Sequence, residues 1–357
     1  MRSLFYTHFF FPIFVIMKNI LVTGGAGFIG SHTAVELIAA GYGVIIVDNL
    51  SNADTTCLDG VSKITGIKIP FYKVDCCDKR EMQKIFQENE IDGAIHFAAF
   101  KAVGESVQKP LMYYYNNISS FTTLLEVMVE SGGGNVVFSS SATVYGQADV
   151  LPVTEETPRK TAISPYGNTK QICEDILQDA VRAHSGLQGV ILRYFNPIGA
   201  HPSALIGELP RGIPNNLVPF ITQTAAGIRR ELQIFGNDYN TPDGTALRDY
   251  IDIVDLAAAH VLALKRMTDH KGAGKCEIFN VGTGVPVSVM ELVLKFQEVN
   301  KVNLKYKITG RREGDVEAIW ADTSLANKIL GWKTSRPIEE TLANAWAWEK
   351  KLRGIIS

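Results

Sequence analysis

The sequence predicts an α/β fold: a doubly wound parallel sheet with a smaller C-terminal α/β lobe. Three observations carry that expectation. A strand, a glycine-rich turn and a helix follow one another in 19-NILVTGGAGFIGSHTAVELIAAG-41. Strand-like and helical stretches then alternate as far as 189-GVILRYFN-196, the order that gives right-handed crossovers between parallel strands. The chain has 357 residues, 46% apolar and 20% charged, enough to bury a large core in one body with a lobe.

Residues 1–16, MRSLFYTHFFFPIFVI, are apolar but interrupted by His8 and Pro12. They are short for a bilayer span and lack an A-x-A cleavage site, so the expectation is an upstream-start extension or disordered tail. Met17 opens the first strand. Gly24, Gly27 and Gly30 then fall at GxxGxxG spacing. A Cβ would obstruct the close backbone approach, and the helix entered through Phe28 and Ile29 offers its positive end to a pyrophosphate. A second strand, 44-VIIVDN-49, carries Asp48 at its end, where a carboxylate can accept from an adenosine ribose. No Arg or Lys occurs from Asn49 to Asp59, so nothing there would neutralise a 2′-phosphate. The pattern is a Rossmann-type site for NAD rather than NADP.

The alternation continues with strand 69-IPFYKVD-75, helix 78–90, strand 93-GAIHFAA-99, a helix from about Pro110 to Glu130 and strand 135-NVVFSSS-141. Ligands of such sheets lie beyond the carboxyl ends of the strands. That rule gathers Asp75, 97-FAAFK-101, Ser139 to Ser141 and 195-FNP-197 around one crevice. His96, inside a strand, reads as a core histidine, and Cys76-Cys77 as packing near the adenine end. In 164-SPYGNTKQICEDIL-177, Ser164 suits the N-cap and Pro165 the first helical position. Tyr166 and Lys170 stand at i and i+4, on one face.

The boundary is expected near residue 195: an NAD-binding body over 17–195 and a smaller substrate lobe mainly over 196–357. The two are interleaved, because 250-YIDIVDLAAAHVLALKRM-267 and 276-CEIFNVG-282 read as a helix and strand returning to the body. A net charge of −2 gives no polybasic footprint for nucleic acid. Five cysteines with no CxxC, and histidines without ligand spacing, argue against a disulfide framework or a metal and fit a cytoplasmic protein. No membrane partner is expected.

The glycine-rich turn, a serine at a strand end and a following YxxxK together resemble the extended short-chain dehydrogenase/reductase family, from about Lys18 almost to the C-terminus. Within it, 138-FSSSATVYG-146, 214-PNNLVPF-220, 235-FGNDYNTPDGTALRDYIDIVDLA-257 and 311-RREGDVEAIWAD-322 resemble the branch that epimerises UDP-sugars at carbon 4. Nucleotide-sugar dehydratases look like STDEVYG, and decarboxylases like STSEVYG, in the first of these stretches. Ala142 and Thr143 stand there instead, and neither can act as the extra acid.

The resemblance implies a catalytic set of Tyr166 as base, Lys170 beside it, and Ser141 and Thr143 at the sugar 4-oxygen. The cofactor would touch Gly24, Gly27, Phe28, Ile29, Gly30, Asp48, Asn49, Asp75, Cys76, Phe97, Ala98, Ala99, Lys101, Asn116, Ser141, Tyr166, Lys170 and Phe195. Arg248 and Arg312 would grip the diphosphate and Asp315 the uridine ribose, which makes 196–357 mainly a UDP-sugar-binding lobe. Asn196, Asn216, Leu217, Phe235 and Ile319 would complete the substrate site with Ser141 and Tyr166. A free tyrosine titrates near pH 10, so a phenolate at neutral pH needs roughly 4 kcal/mol of help. One cation about 6 Å away, at an effective dielectric of about 20, supplies on the order of 3 kcal/mol. Lys170 alone falls slightly short, and the cationic nicotinamide ring is expected to add the rest. Helices 110–131 and 165–185 carry the stripes that relatives use to form a homodimer. Other nucleotide-sugar epimerases (N-acetylated or uronic acid substrates) and a non-catalytic NAD-binding sensor are the competing readings.

Overall fold

A computed structural model describes residues 17–269, 271, 276–312 and 314–355. The extension expected at 1–16 lies outside the described residues. The chain begins with β1 (Asn19–Thr23), α1 (Phe28–Ala39), β2 (Gly43–Val47), α2 (Thr56–Thr65) and β3 (Phe71–Tyr72). It continues through α3 (Lys79–Glu88), β4 (Gly93–His96), α4 (Val103–Gln108), α5 (Pro110–Glu130) and β5 (Gly134–Ser141). A 3-10 turn (Ala142–Tyr145) leads on to α6 (Pro165–Ala183), β6 (Leu187–Tyr194), β7 (Asn196–Ile198), α7 (Leu217–Ala225) and β8 (Leu232–Phe235). Next come β9 (Leu247–Asp252), α8 (Ile253–Thr268), β10 (Cys276–Val281), β11 (Pro286–Ser288) and α9 (Val289–Asn300). The last elements are β12 (Tyr306–Thr309), β13 (Ala318–Ile319), α10 (Ser324–Leu330) and α11 (Ile338–Arg353).

Seven parallel strands form the main sheet in the order β10-β6-β5-β4-β1-β2-β3. Both faces are covered, as a parallel sheet requires. Strand alternation divides the apolar residues between them. Ile20, Val22, Ile46 and Ile95 pack with Ala34 and Leu37 of α1 and Leu256 and Leu264 of α8. Leu21, Ile45, Ala94 and Val136 pack with Met82 of α3, Phe121 and Leu124 of α5 and Leu177 of α6. From β1 the chain moves outward to β2 and β3, then returns to the other side of β1 as β4. The switch point between β1 and β4 is where such a sheet opens a ligand crevice.

In the second sheet β9 pairs with β11 antiparallel and with β7 and β13 parallel. β8 and β12 form a separate parallel pair. The lobe has its own core, with Ile221 of α7, Ile234 of β8, Phe296 of α9 and Trp346 of α11. The chain passes between the main and second sheets at Phe195, at Asp252–Ile253 and over 282–285. The fully buried Asp249 carboxylate pins the last of these, accepting from Thr283 N (2.7 Å), Gly284 N (3.0 Å) and Ala321 N (3.2 Å).

Several expected elements change length; the strand expected over 93–99, for one, ends at His96, where the chain leaves the sheet as a loop. The strand expected over 69–75 is only Phe71–Tyr72, because it is an edge strand with one neighbour and follows Pro70, which has no N–H to donate. Val74 N then bonds back to the Tyr72 carbonyl (3.0 Å) and turns the chain out of the sheet. The helix expected over 250–267 begins at Ile253, where Asp252 caps it by accepting from Val254 N (2.8 Å); Tyr250 to Asp252 belong to β9. His96 is a core residue as expected, its Nδ1 sharing a hydrogen bond with Thr23 Oγ1 (2.8 Å) and its ring against Phe121.

At the head of α6, Ser164 Oγ accepts from Gly167 N (3.2 Å) and Pro165 occupies the first turn. Ser164→Ala is expected to lower stability by about 1 kcal/mol in denaturant titration, with Ser164→Asp retaining most of the wild-type value.

Candidate active site

At the carboxyl end of β1 the turn is too tight for side chains. Gly24 has φ +69°, and a Cβ on it would stand 2.7 Å from Ala98 N. A Cβ on Gly30 would stand 2.5 Å from the Gly24 carbonyl oxygen. α1 is preceded by Gly27 at its N-cap, with no side-chain cap and no acidic residue in its first turn, which leaves its leading amides to an anion. Asp48, past the end of β2, accepts from Ala26 N (3.2 Å) and Leu50 N (2.8 Å), and burial raises its pKa. Asn49 donates to Asp75 (3.1 Å), Cys76 lies in the core, and Cys77 Sγ reaches the Asn116 carbonyl. Phe97, Ala98 and Ala99 form a half-buried loop just past β4. An uncapped helix start, a turn that a Cβ would fill and an acid at the next strand end fit a dinucleotide.

Beside this cradle, β5 ends at Ser141, and the Ser141 hydroxyl caps the 3-10 turn by accepting from Thr143 N (3.3 Å). Tyr166 and Lys170 are both buried on the facing end of α6. Lys170 Nζ donates to the Ser139 carbonyl (2.7 Å) and stands 5.9 Å from the centre of the Tyr166 ring. Thr143 Oγ1 is buried with no hydrogen-bond partner among the described residues. It is a polar atom left for a ligand, beside Gly167, where a Cβ would come within 3.5 Å of Thr143 Cβ.

The protein's own groups do not make the phenol acidic. Burial raises the Tyr166 pKa, the neighbouring Tyr194 adds to that, and only the Ser141 hydrogen bond opposes it. Burial also lowers Lys170 to about 8, with Cys173 and Glu174 opposing. The ammonium stands 5.9 Å from the ring centre, and desolvation is the largest influence on both groups.

On the lobe side, Arg312 donates to both Asp315 carboxylate oxygens (3.1 and 2.7 Å), and Arg248 Nη2 lies 3.8 Å from the same residue. The Arg312 guanidinium lies over Phe235, 5.7 Å from its ring centre. Ile319 is buried in an apolar cluster with Ala142 and Phe195, next to the reaction groups. Asn196 is exposed on β7, and Leu217 begins α7. Asn216, at the α7 N-cap, donates to Glu208 (2.6 Å), which also accepts from Lys101 (3.1 Å). The structure groups Gly24, Gly27, Gly30 and Asp48 in one cradle, Tyr166 and Lys170 beside the end of β5, and Arg248, Arg312, Asp315 and Phe235 in a cluster on the lobe, while Lys101 and Asn216 meet at Glu208.

Sequence reasoning missed Asn117, Tyr194 and Glu208. Asn117 is buried in mid-helix and ties α5 to the 97–101 loop through Phe100 N (2.8 Å) and to α6 through Thr169 Oγ1 (3.0 Å). An amide on the apolar face of α5 was the available signal. The Tyr194 hydroxyl accepts from Ser139 (2.9 Å), a contact that no spacing announces.

A family model described as GDP-mannose 4,6 dehydratase matches residues 21–345. The UDP-glucose 4-epimerase of Haemophilus influenzae is 49% identical over 93% of this chain and 97% of its own length. That of Pasteurella multocida is 48% identical, again over 93% and 97%. The chain belongs to the UDP-glucose 4-epimerase family. A crystal structure of the Bifidobacterium longum UDP-glucose 4-epimerase, in complex with NAD+ and UDP, superposes with TM-score 0.91 at 45% identity, covering 95% of this chain and all of that one. Within this family of epimerases, Ala142 and Thr143 at the end of β5 need supply no extra acid.

The depressed Lys170 pKa has a stability consequence of definite sign. Between about 8 and its ordinary 10.5, the folded chain binds fewer protons at this site than the unfolded chain. Wild-type protein is therefore expected to gain stability relative to Lys170→Met as pH rises through that window, as read by thermal melts at fixed ionic strength.

Proposed function

We propose that this chain interconverts UDP-glucose and UDP-galactose by reversible oxidation at carbon 4 of the sugar, with NAD retained through the cycle. The observation that carries the reading is the buried Tyr166–Lys170 pair facing a strand end continued by Ala142 and Thr143. A base for a sugar hydroxyl is present there, and a carboxyl group to drive water elimination is not. Bound NAD supplies a hydride acceptor at the sugar ring that returns the same hydride.

Tyr166 takes the proton of the 4-hydroxyl as hydride leaves carbon 4, and returns it to the 4-oxygen after the keto sugar has turned over. Ser141 and the unpartnered Thr143 hydroxyl hold that oxygen between the two transfers. Lys170 contributes positive charge behind the phenol. The nucleotide must stay fixed while the sugar rotates. Arg248 and Arg312, whose planar forks match phosphate oxygens, hold the diphosphate. Asp315 takes the uridine ribose, with Phe235, Asn216, Leu217 and Asn196 around it. Ile319 leaves a second reading open, turnover of the N-acetylated UDP-sugars, because isoleucine gives more room there than tyrosine, though less than cysteine or glycine.

A homodimer through α5 and α6 fits the exposed apolar face of α5, where Leu111 and Tyr115 are 81% and 70% accessible one turn apart. Among the described residues no helix is long and apolar enough to cross a membrane. A cytoplasmic location completes the reading.

Purified protein incubated with UDP-galactose and no added reductant is expected to reach an equilibrium mixture with UDP-glucose, with NAD released only on denaturation. Net NADH accumulation, or conversion of N-acetylated substrates alone, would sink the assignment. Tyr166→Phe should lower kcat by a factor of about 100 to 10,000 while NAD content holds. The Tyr166 phenol should also titrate at lower pH in the oxidised holoenzyme than in the reduced one. Ultraviolet difference spectra against Tyr166→Phe would show this, and equal values would refute it.

A further inference from the structure

Behind the reaction groups lies an ion pair that the chemistry above leaves unused. Glu174 follows Lys170 by one turn and Tyr166 by two on α6, and its side chain is fully buried. Arg193 on β6 is 3% exposed. Arg193 Nε and Nη2 donate to the two Glu174 oxygens at 2.9 and 2.7 Å, the two-pronged geometry that fixes both distance and angle. Glu174 Oε1 also accepts from Ser140 Oγ at 2.6 Å, and Arg159 Nη1 lies 3.5 Å from Oε2. Arg193 Nη1 donates to the Tyr145 hydroxyl (3.1 Å), which donates to Asn280 Oδ1 (2.6 Å).

The carboxylate thus joins α6 directly to β5 and β6 and, through Arg193, to the 3-10 turn, each at a position next to a working group. Ser140 precedes Ser141, and Tyr145 lies in the turn with Thr143. Arg193 precedes Tyr194, the partner of Ser139, whose carbonyl holds Lys170. A buried ion pair is weak evidence for stability, since apolar replacements of similar volume often do as well. What such a pair supplies, and an apolar pair does not, is direction.

We propose that Glu174 and Arg193 are a positioning pair for the reaction, holding the Tyr166 helix in register with the strand end that carries Ser141. The inference rests on the epimerase reading, and the experiment separates the two. Wild-type conversion of UDP-galactose is measured first; an inactive wild type ends that reading. Given an active wild type, Ser140→Ala leaves both charges paired and is expected to lower kcat about tenfold. KM should stay within about twofold, because a displaced base weakens the transition state and not the ground state. Glu174→Leu should lose both stability and rate. Adding Arg193→Met removes the lone charge and should recover the melting temperature and bound NAD, while kcat stays down by about 30-fold or more. Recovery of kcat together with stability would make the pair a strut only and overturn the proposal. If the double variant does not fold, Glu174→Gln decides by the same split: a lowered kcat at unchanged KM supports the pair, and an unchanged kcat overturns it.

Discussion

The site depends on keeping an ammonium group in a place where water cannot reach it. Lys170 lies between the end of β5 and the phenol of Tyr166, with a backbone carbonyl as its hydrogen-bond acceptor. Desolvation works against both members of the catalytic pair, since it favours neutral lysine and neutral phenol alike. A dry site is nevertheless what a hydride shift requires, because bulk water would compete for the sugar oxygen. On the proposed reading the cationic ring of resident oxidised NAD offsets this, so the base is strongest while the cofactor can still accept a hydride.

This makes the surroundings of α6 as important as its two working residues. Asn117 ties that helix to the loop beyond β4, Ser164 fixes its first turn, and the Glu174 carboxylate anchors its middle. The Asn117 and Glu174 contacts reach different elements, so α6 can neither slide nor rotate without breaking buried hydrogen bonds. Buried polar groups left without partners are costly, and that cost sharpens the energy well in which the phenol sits.

The main sheet was largely legible because its signals are local and agree with one another. The glycine spacing, the cap Ser164-Pro165 and the two-residue alternation in β1 and β2 each mark their element without reference to distant chain. What the sequence alone did not show was the second sheet. β7, β11 and β13 have three, three and two residues, too few to carry a periodicity, and they exist because β9 offers them an edge. Tyr250 to Asp252 were read as helix for the same reason, as their apolar spacing suits either state until a pairing partner is known. In the site, the resemblance supplied Arg248, Arg312 and Asp315 as ligands. The approach of Arg248 to Asp315 and the Lys101–Glu208 pair join distant stretches of chain and have no counterpart in spacing.

The three short passages between the main and second sheets constrain how the molecule can move. A polypeptide that changes sheets at a single residue, at a strand-to-helix junction and through a four-residue turn pinned by Asp249 has no slack tether. A wide clamshell swing would need all three junctions to twist in concert. The easier freedom belongs to the guest, which can pivot about its own phosphate bonds while both walls stand still. On the proposed function, the packing of Ile319 against Ala142 and Phe195 is where side-chain bulk would act on substrate range.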